Sequence, residues 1–294
     1  MIMKFLKYYD KGISDVMISN FSTQFGIDKK IVKLIISRGY NTESEVQRFL
    51  NPSYDCLHDP FKLKNMQQAV DRINTATSEK QKILIFGDYD VDGVSATAIM
   101  IKLFEKLGVK VNYFLPNRYV DGYGLTNKVV DKIKKLYNPN LIITVDCGIT
   151  SHIEVEYAKT LGIDTIITDH HEIGDVLPNT IVLNAKLPNQ DYPFTQLCGT
   201  GLAFKIAQAM LGNQAYEFLP IAALATVADI VELKDENRAI VALGISLMEK
   251  YLPIGLKTMV KGQKITLAEI TATDIAFKIA PKLNASGRMG DAQD

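Results

Sequence analysis

From Lys82 onward the chain alternates short apolar runs with amphipathic stretches of helix length. KILIFG, VKVNYFL, LIITVD, TIIT and IVLN are the runs. This rhythm predicts an α/β fold with a mainly parallel, doubly wound sheet. A different rhythm precedes it. Residues 14–50 carry apolar positions at helical spacing, as in IVKLIISRGY, and NTESEVQRFL offers Thr42 as an N-cap with Glu45 three residues on. The segment NPSYDCLHDPF, with two prolines, an Asn and two Asp, then reads as a loop that closes a small helical unit. After about residue 198, GTGLAFKIAQAM and FLPIAALATVADIVEL read as helices. The predicted organisation is a helical N-terminal segment over 1–75, an α/β domain over 76–245 and a helical continuation over 246–294. No internal repeat or low-complexity tract interrupts it.

Parallel α/β sheets bind ligands beyond the carboxyl ends of their strands. Polar residues gather at those ends here. Asp88, Asp90 and Asp92 follow KILIF in FGDYDVDG; Asp146 follows LIITV; Asp169, His170 and His171 follow TIIT; and Asp229 closes a later apolar helix. The first group invites comparison with an EF-hand loop, which also opens D-x-D-x-D-G. Position twelve of that loop should be Glu but is Ile99, and a strand stands where the EF-hand needs a helix. Calcium-loop geometry is excluded on those grounds.

Singly, each acid has an ordinary structural reading as a helix cap, and paired histidines often occupy a surface turn. Together they form a shell of carboxylates with imidazole, which suits Mn²⁺ or Mg²⁺ and is large enough for two ions. Two such ions clamp the attacking and leaving oxygens of a phosphoryl displacement. Adjacent side chains in extended chain point to opposite sides, so one histidine can bind metal while the other meets a phosphate oxygen or the leaving group. No G-x-x-x-x-G-K-[ST] loop is present, and GTGLAF lacks the dinucleotide spacing. Gly199 and Gly201 therefore read as a helix start built for close backbone approach, either for packing or for a phosphate.

Composition narrows the setting. Apolar residues make up 47% and charged residues 22% of the 294, an ordinary globular balance. The longest apolar run, FLPIAALATVA, has eleven residues, too few to span a bilayer, and the N-terminus lacks a signal-peptide pattern. No membrane association and a cytoplasmic location are the expectations. Three separated cysteines, without C-x-x-C, fit reduced packing residues. Net charge is zero, from 33 basic and 33 acidic side chains, so any nucleic-acid surface must be local.

DYDVDG, TVDCG, TDHH and ADIV, in this order, resemble the signatures of the DHH phosphoesterase superfamily. The resemblance extends through RGYNTESEVQRFLNP, LHDPFKLKNMQQAVDRI, LPNRYVDGYGL, CGTGLAFKIAQAM and LNASGRMGDA to the RecJ family of single-strand-specific 5′-to-3′ exonucleases. It implies that Asp88, Asp90, Asp92, Asp146, His170, His171 and Asp229 bind metal, with Asp146, His170 and His171 at the chemistry. It further implies that Arg288, with Ser286 beside it, contacts phosphate; Arg118 and Tyr123 in PNRYVDGYGL are candidates for holding the strand, the other reading of that segment being a structured surface loop. Single-stranded DNA would be the substrate, with single-strand-binding protein and a helicase as partners. DHHA1 and OB-type domains would be expected beyond Asp294. The alternatives are a phosphodiesterase acting on short oligonucleotides or cyclic dinucleotides, and a non-catalytic scaffold.

Overall fold

The computed structural model describes residues 14–289, which fall into two compact units divided between Cys56 and Leu57. In the first, helices α1 (Asp15–Phe25), α2 (Lys29–Ser37) and α3 (Glu43–Leu50) enclose Ile18, Phe21, Val32, Ile35, Ile36, Tyr40 and Val46. Thr42 and Glu45 form the reciprocal cap that the sequence predicts for α3.

The second unit starts at Leu57 and its first α-helix is α4 (Met66–Ser78), which straddles the boundary expected between residues 75 and 76. All five apolar runs are strands: β1 (Ile83–Gly87), β2 (Asn112–Phe114), β3 (Leu141–Val145), β4 (Asp164–Thr168) and β5 (Ile181–Leu183). They pair in parallel in the order β2-β1-β3-β4-β5. Helix α5 (Val91–Lys106) leads from β1 outward to β2, and α6 (Asn127–Tyr137) leads back across β1 to β3. Because each crossover must be right-handed, this reversal puts the two helices on opposite faces, and a crevice opens between the ends of β1 and β3. Leu84, Phe86 and Ile142 pack with α6 and with α7 (His152–Thr160).

The chain continues through α8 (Gly199–Leu211), α9 (Leu219–Ala228), α10 (Asp235–Tyr251) and α11 (Ile254–Gly262). A helical run then ends in α12 (Ala280–Met289), preceded by a π-turn at Ile275–Ile279. The apolar run FLPIAALATVADIVEL stops being helical earlier than its hydrophobicity suggests. Asp229 is the C-cap of α9, and Ile230 takes φ 60°, a left-handed conformation that a β-branched residue adopts only under outside constraint. No single helix among the described residues is long and apolar enough to cross a membrane.

One buried ion pair ties these helices together. Lys205 on α8 and Glu236 on α10 are both fully buried with 2.7 Å between Nζ and Oε1. The Glu236 carboxylate also accepts from the Tyr192 hydroxyl and, at 3.1 Å, from the His58 amide, while Lys205 donates to the His58 carbonyl and Gln208. Lys205→Met leaves a buried carboxylate without its cation and should lower unfolding free energy by about 3–5 kcal/mol in urea denaturation. Adding Glu236→Gln should recover part of that loss, because no unpaired charge then remains.

Candidate metal centre

The two strands that flank the crevice each deliver a carboxylate at their last turn. After β1, Asp88 is buried, Asp90 caps α5 by accepting the Gly93 amide at 3.0 Å, and Asp92 lies in the first helical turn. Gly93 is required here, since a β-carbon would collide with the Asp88 backbone. After β3, Asp146 takes φ 62°, and its backbone N–H donates to the Thr168 carbonyl at 2.9 Å. A non-glycine residue in that region is strained, and such strain persists where the surrounding structure fixes it.

Helix α8 supplies the next constraint. The backbone amides of Gly199 and Thr200 donate to the two oxygens of Asp92 at 2.6 and 2.8 Å, and the Thr200 hydroxyl donates to the Asp92 carbonyl at 2.8 Å. A β-carbon on Gly199 would lie 2.5 Å from that of Asp146. Of the two readings for this helix start, close packing is the one seen: its amides serve a carboxylate of the same chain. Gly201 likewise packs on Leu197.

Beyond β4 the chain presents Asp169, His170 and His171. Asp169 Oδ2 accepts the Ile149 amide at 2.9 Å, while Oδ1 takes the amide and Nδ1 of His171 at 3.1 and 2.7 Å. With Nδ1 bound in this way, Nε2 is the nitrogen of His171 left for ligand chemistry. His170 turns toward the acids, its Nε2 lying 3.2 Å from Asp146 and 3.7 Å from both Asp92 and Asp229. The imidazole centroids are 4.5 Å apart, so both rings stay near one centre despite the extended backbone.

Three overlapping groups result, in each of which the potential ligand atoms lie within 4.8 Å of one another: Asp88, Asp90 and Asp146; Asp92, His170 and Asp229; and Asp146, His170 and His171. Buried oxygens on Asp88, Asp146 and Asp229 have no hydrogen-bond partner. Burial and neighbouring carboxylates push Asp146 well above the usual acid range, and burial pushes Asp88 and Asp229 up to about 7. Burial also lowers His170, keeping its lone pair available, whereas the bond to Asp169 raises His171. Orphaned carboxylate oxygens, mutual repulsion and a neutral imidazole together fit a hard or borderline divalent cation.

All seven predicted ligands therefore converge. Tyr123 stands nearby: partial burial and the charges of Asp88 and Asp169 raise its hydroxyl, and with His171 and Asp169 it lines a cavity of about 390 Å³. Arg118 lies over the Tyr89 ring, 5.6 Å from its centroid. Ser286 and Arg288 fall within the backbone of α12, and their side chains lie outside the described residues. Three contributors escape the sequence pattern. Asp169 reads there as one more strand-end acid, although its place directly before two histidines marks it as an orienting partner. Thr200 and the α8 amides have only the glycines as a signal. An apolar groove of about 720 Å³, between the α9–α10 loop and α12, adjoins Asp229 and is invisible in sequence.

The chain is similar in sequence and fold to known proteins. The single-stranded-DNA-specific exonuclease RecJ of Bacillus subtilis is 40% identical over 276 residues, which are 94% of this chain and 35% of that protein. Its counterpart in Escherichia coli is 35% identical over 278 residues, covering 88% of this chain and 47% of that protein. The chain thus spans less than half the length of either. A crystal structure of exonuclease RecJ bound to manganese superposes with TM-score 0.72 at 33% identity, over 79% of this chain and 59% of that one. RecJ of Thermus thermophilus in complex with Mn²⁺ gives 0.79 at 26% identity, over 96% and 40%. The family model for the DHH family, N-terminal domain, matches residues 82–231, from β1 through Asp229, and on that match across the strand ends carrying the acidic cluster the chain belongs to the DHH family.

Proposed function

We propose that this chain carries the hydrolytic centre of a metal-dependent exonuclease that degrades single-stranded DNA from its 5′ end to mononucleotides. The observation that carries this reading is the convergence of seven ligands with three orphaned carboxylate oxygens on the DHH scaffold. Similarity to a single-stranded-DNA-specific exonuclease supports the choice of substrate, and the 5′ polarity is what the motif resemblance implies.

Asp88, Asp90 and Asp146 would hold one Mn²⁺ or Mg²⁺, and Asp92, His170 and Asp229 a second, with Asp146 and His170 at the junction. When bound, such ions polarise the phosphoryl group and lower the pKa of bound water. The protein's part is placement. The α8 amides fix Asp92, the Thr168 carbonyl fixes Asp146, and Asp169 turns His171 so that Nε2 can meet a phosphate oxygen or protonate the departing 3′ oxygen. Water adds to phosphorus as the P–O3′ bond breaks. Arg118 and Tyr123 hold the strand beside this point, and Ser286 and Arg288 contact its phosphate. The reading extends to a role in DNA repair and recombination, in the cytoplasm and alongside single-strand-binding protein and a helicase, as the motif resemblance implies.

Nucleotide release from a labelled single strand in Mn²⁺ tests the reading. Asp146→Ala should lower the rate by at least about 100-fold, as loss of one group from a preorganised charged site does. Equal rates in the variant and wild type would remove hydrolysis from this cluster, and cleavage confined to a dinucleotide would favour the short-substrate alternative.

The site also sets a pH dependence. Folded and metal-free, Asp88 and Asp229 keep protons up to about pH 7 that the unfolded chain releases near pH 4. The folded state binds more protons across that window, so its stability falls as pH rises from about 4 to 7, then levels off. Mn²⁺ displaces those protons. The gap between melting temperatures in Mn²⁺ and in EDTA should therefore widen from about pH 5.5 to 7.5, whereas a gap that narrows would contradict it.

A further inference from the structure

Helix α12 is pressed against the acidic turn. Asn284 Oδ1 accepts the Val91 amide at 3.1 Å, across a sequence separation of 193 residues. One turn further along, Gly287 approaches the turn so closely that a β-carbon would collide with the Tyr89 carbonyl oxygen and lie 3.6 Å from the ring atom Cδ2. Val91 is the first residue of α5, and first-turn amides have no acceptor within their own helix. Asp90 satisfies Gly93 through its side chain and Val94 through its carbonyl, so Asn284 supplies the acceptor at Val91. Val91 is itself buried. Without Asn284, its amide would stay unpaired or draw a carboxylate oxygen of the turn away from the cluster.

We propose that Asn284 is a positioning residue of the metal centre: it caps α5 from outside, so that Asp88, Asp90 and Asp92 remain turned toward the ions. This rests on reading the acidic cluster as a metal site. The contact also gives LNASGRMG a role apart from that of Arg288, with Asn284 fixing the helix start and Gly287 permitting the approach.

The test is Mn²⁺ titration, by calorimetry and by the loss of free Mn²⁺ signal in electron paramagnetic resonance, together with the Mn²⁺-induced rise in melting temperature. Asn284→Ala should weaken Mn²⁺ binding about tenfold, the scale on which groups supporting metal ligands act. Asn284→Asp, which keeps the acceptor, should restore binding toward wild type. Gly287→Ala, which forces α12 away from Tyr89 while keeping Asn284, should reproduce the loss, and it decides the matter if Asn284→Ala does not fold. Wild-type affinity in both Asn284→Ala and Gly287→Ala, whatever their stability in EDTA, overturns the proposal. A wild-type chain that binds no Mn²⁺ would overturn the metal reading itself, so the two failures are distinguishable.

Discussion

Asp92 is held through both carboxylate oxygens by the amides of Gly199 and Thr200, and the acidic centre depends on this bond more than on any other. The helix N-terminus offers positive partial charge where carboxylates crowd one another. It does so from more than 100 residues away in sequence, at the start of α8. Because Gly199 also lies against Asp146, that one helix start registers α5 and the end of β3 together. The buried Lys205–Glu236 pair then joins α8 to α10, directly after the loop that begins at Asp229. Charge repulsion at the centre is thus offset in part by the fixed dipoles of the α8 amides on Asp92, while oxygens of Asp88, Asp146 and Asp229 stay without a hydrogen-bond partner.

The same arrangement explains why two adjacent histidines diverge in character. Both are partly buried and lie side by side, yet Asp169 accepts a side-chain hydrogen bond from only His171. His170 faces three carboxylates at 3.2 to 3.7 Å but is dominated by desolvation, whereas His171 is dominated by a direct hydrogen bond. Two chemically identical side chains thereby differ in basicity, His170 lowered and His171 raised.

Much of this was legible in the chain because its signals are local. The five strands are short apolar runs, Thr42 and Glu45 are a cap three residues apart, and each acid follows a strand or helix end by one or a few positions. Topology then converts local signals into a site, since the reversal of strand order at β1 and β3 brings Asp88 and Asp146 together. Asp229 marked the end of α9 in the sequence and is its C-cap, but the turn that follows it was not legible. ADIVEL continues the apolar character of the helix, while the break depends on Ile230 at positive φ, an outcome of tertiary fit and not of propensity.

Least legible are the bonds that span the chain, because periodicity carries no information about which backbone amide a distant side chain will meet. Asn284 to Val91 is one, and the α8 amides to Asp92 are another. They share a physical logic: both complete groups at the first turn of α5, where three aspartates compete for a few amides within five residues. A turn so rich in acceptors would satisfy its own donors and fold inward. Asp90 does this, accepting the Gly93 amide of its own turn, whereas donors imported from α8 hold Asp92 and an acceptor imported from α12 takes the Val91 amide, so that neither of those groups turns back on the local backbone.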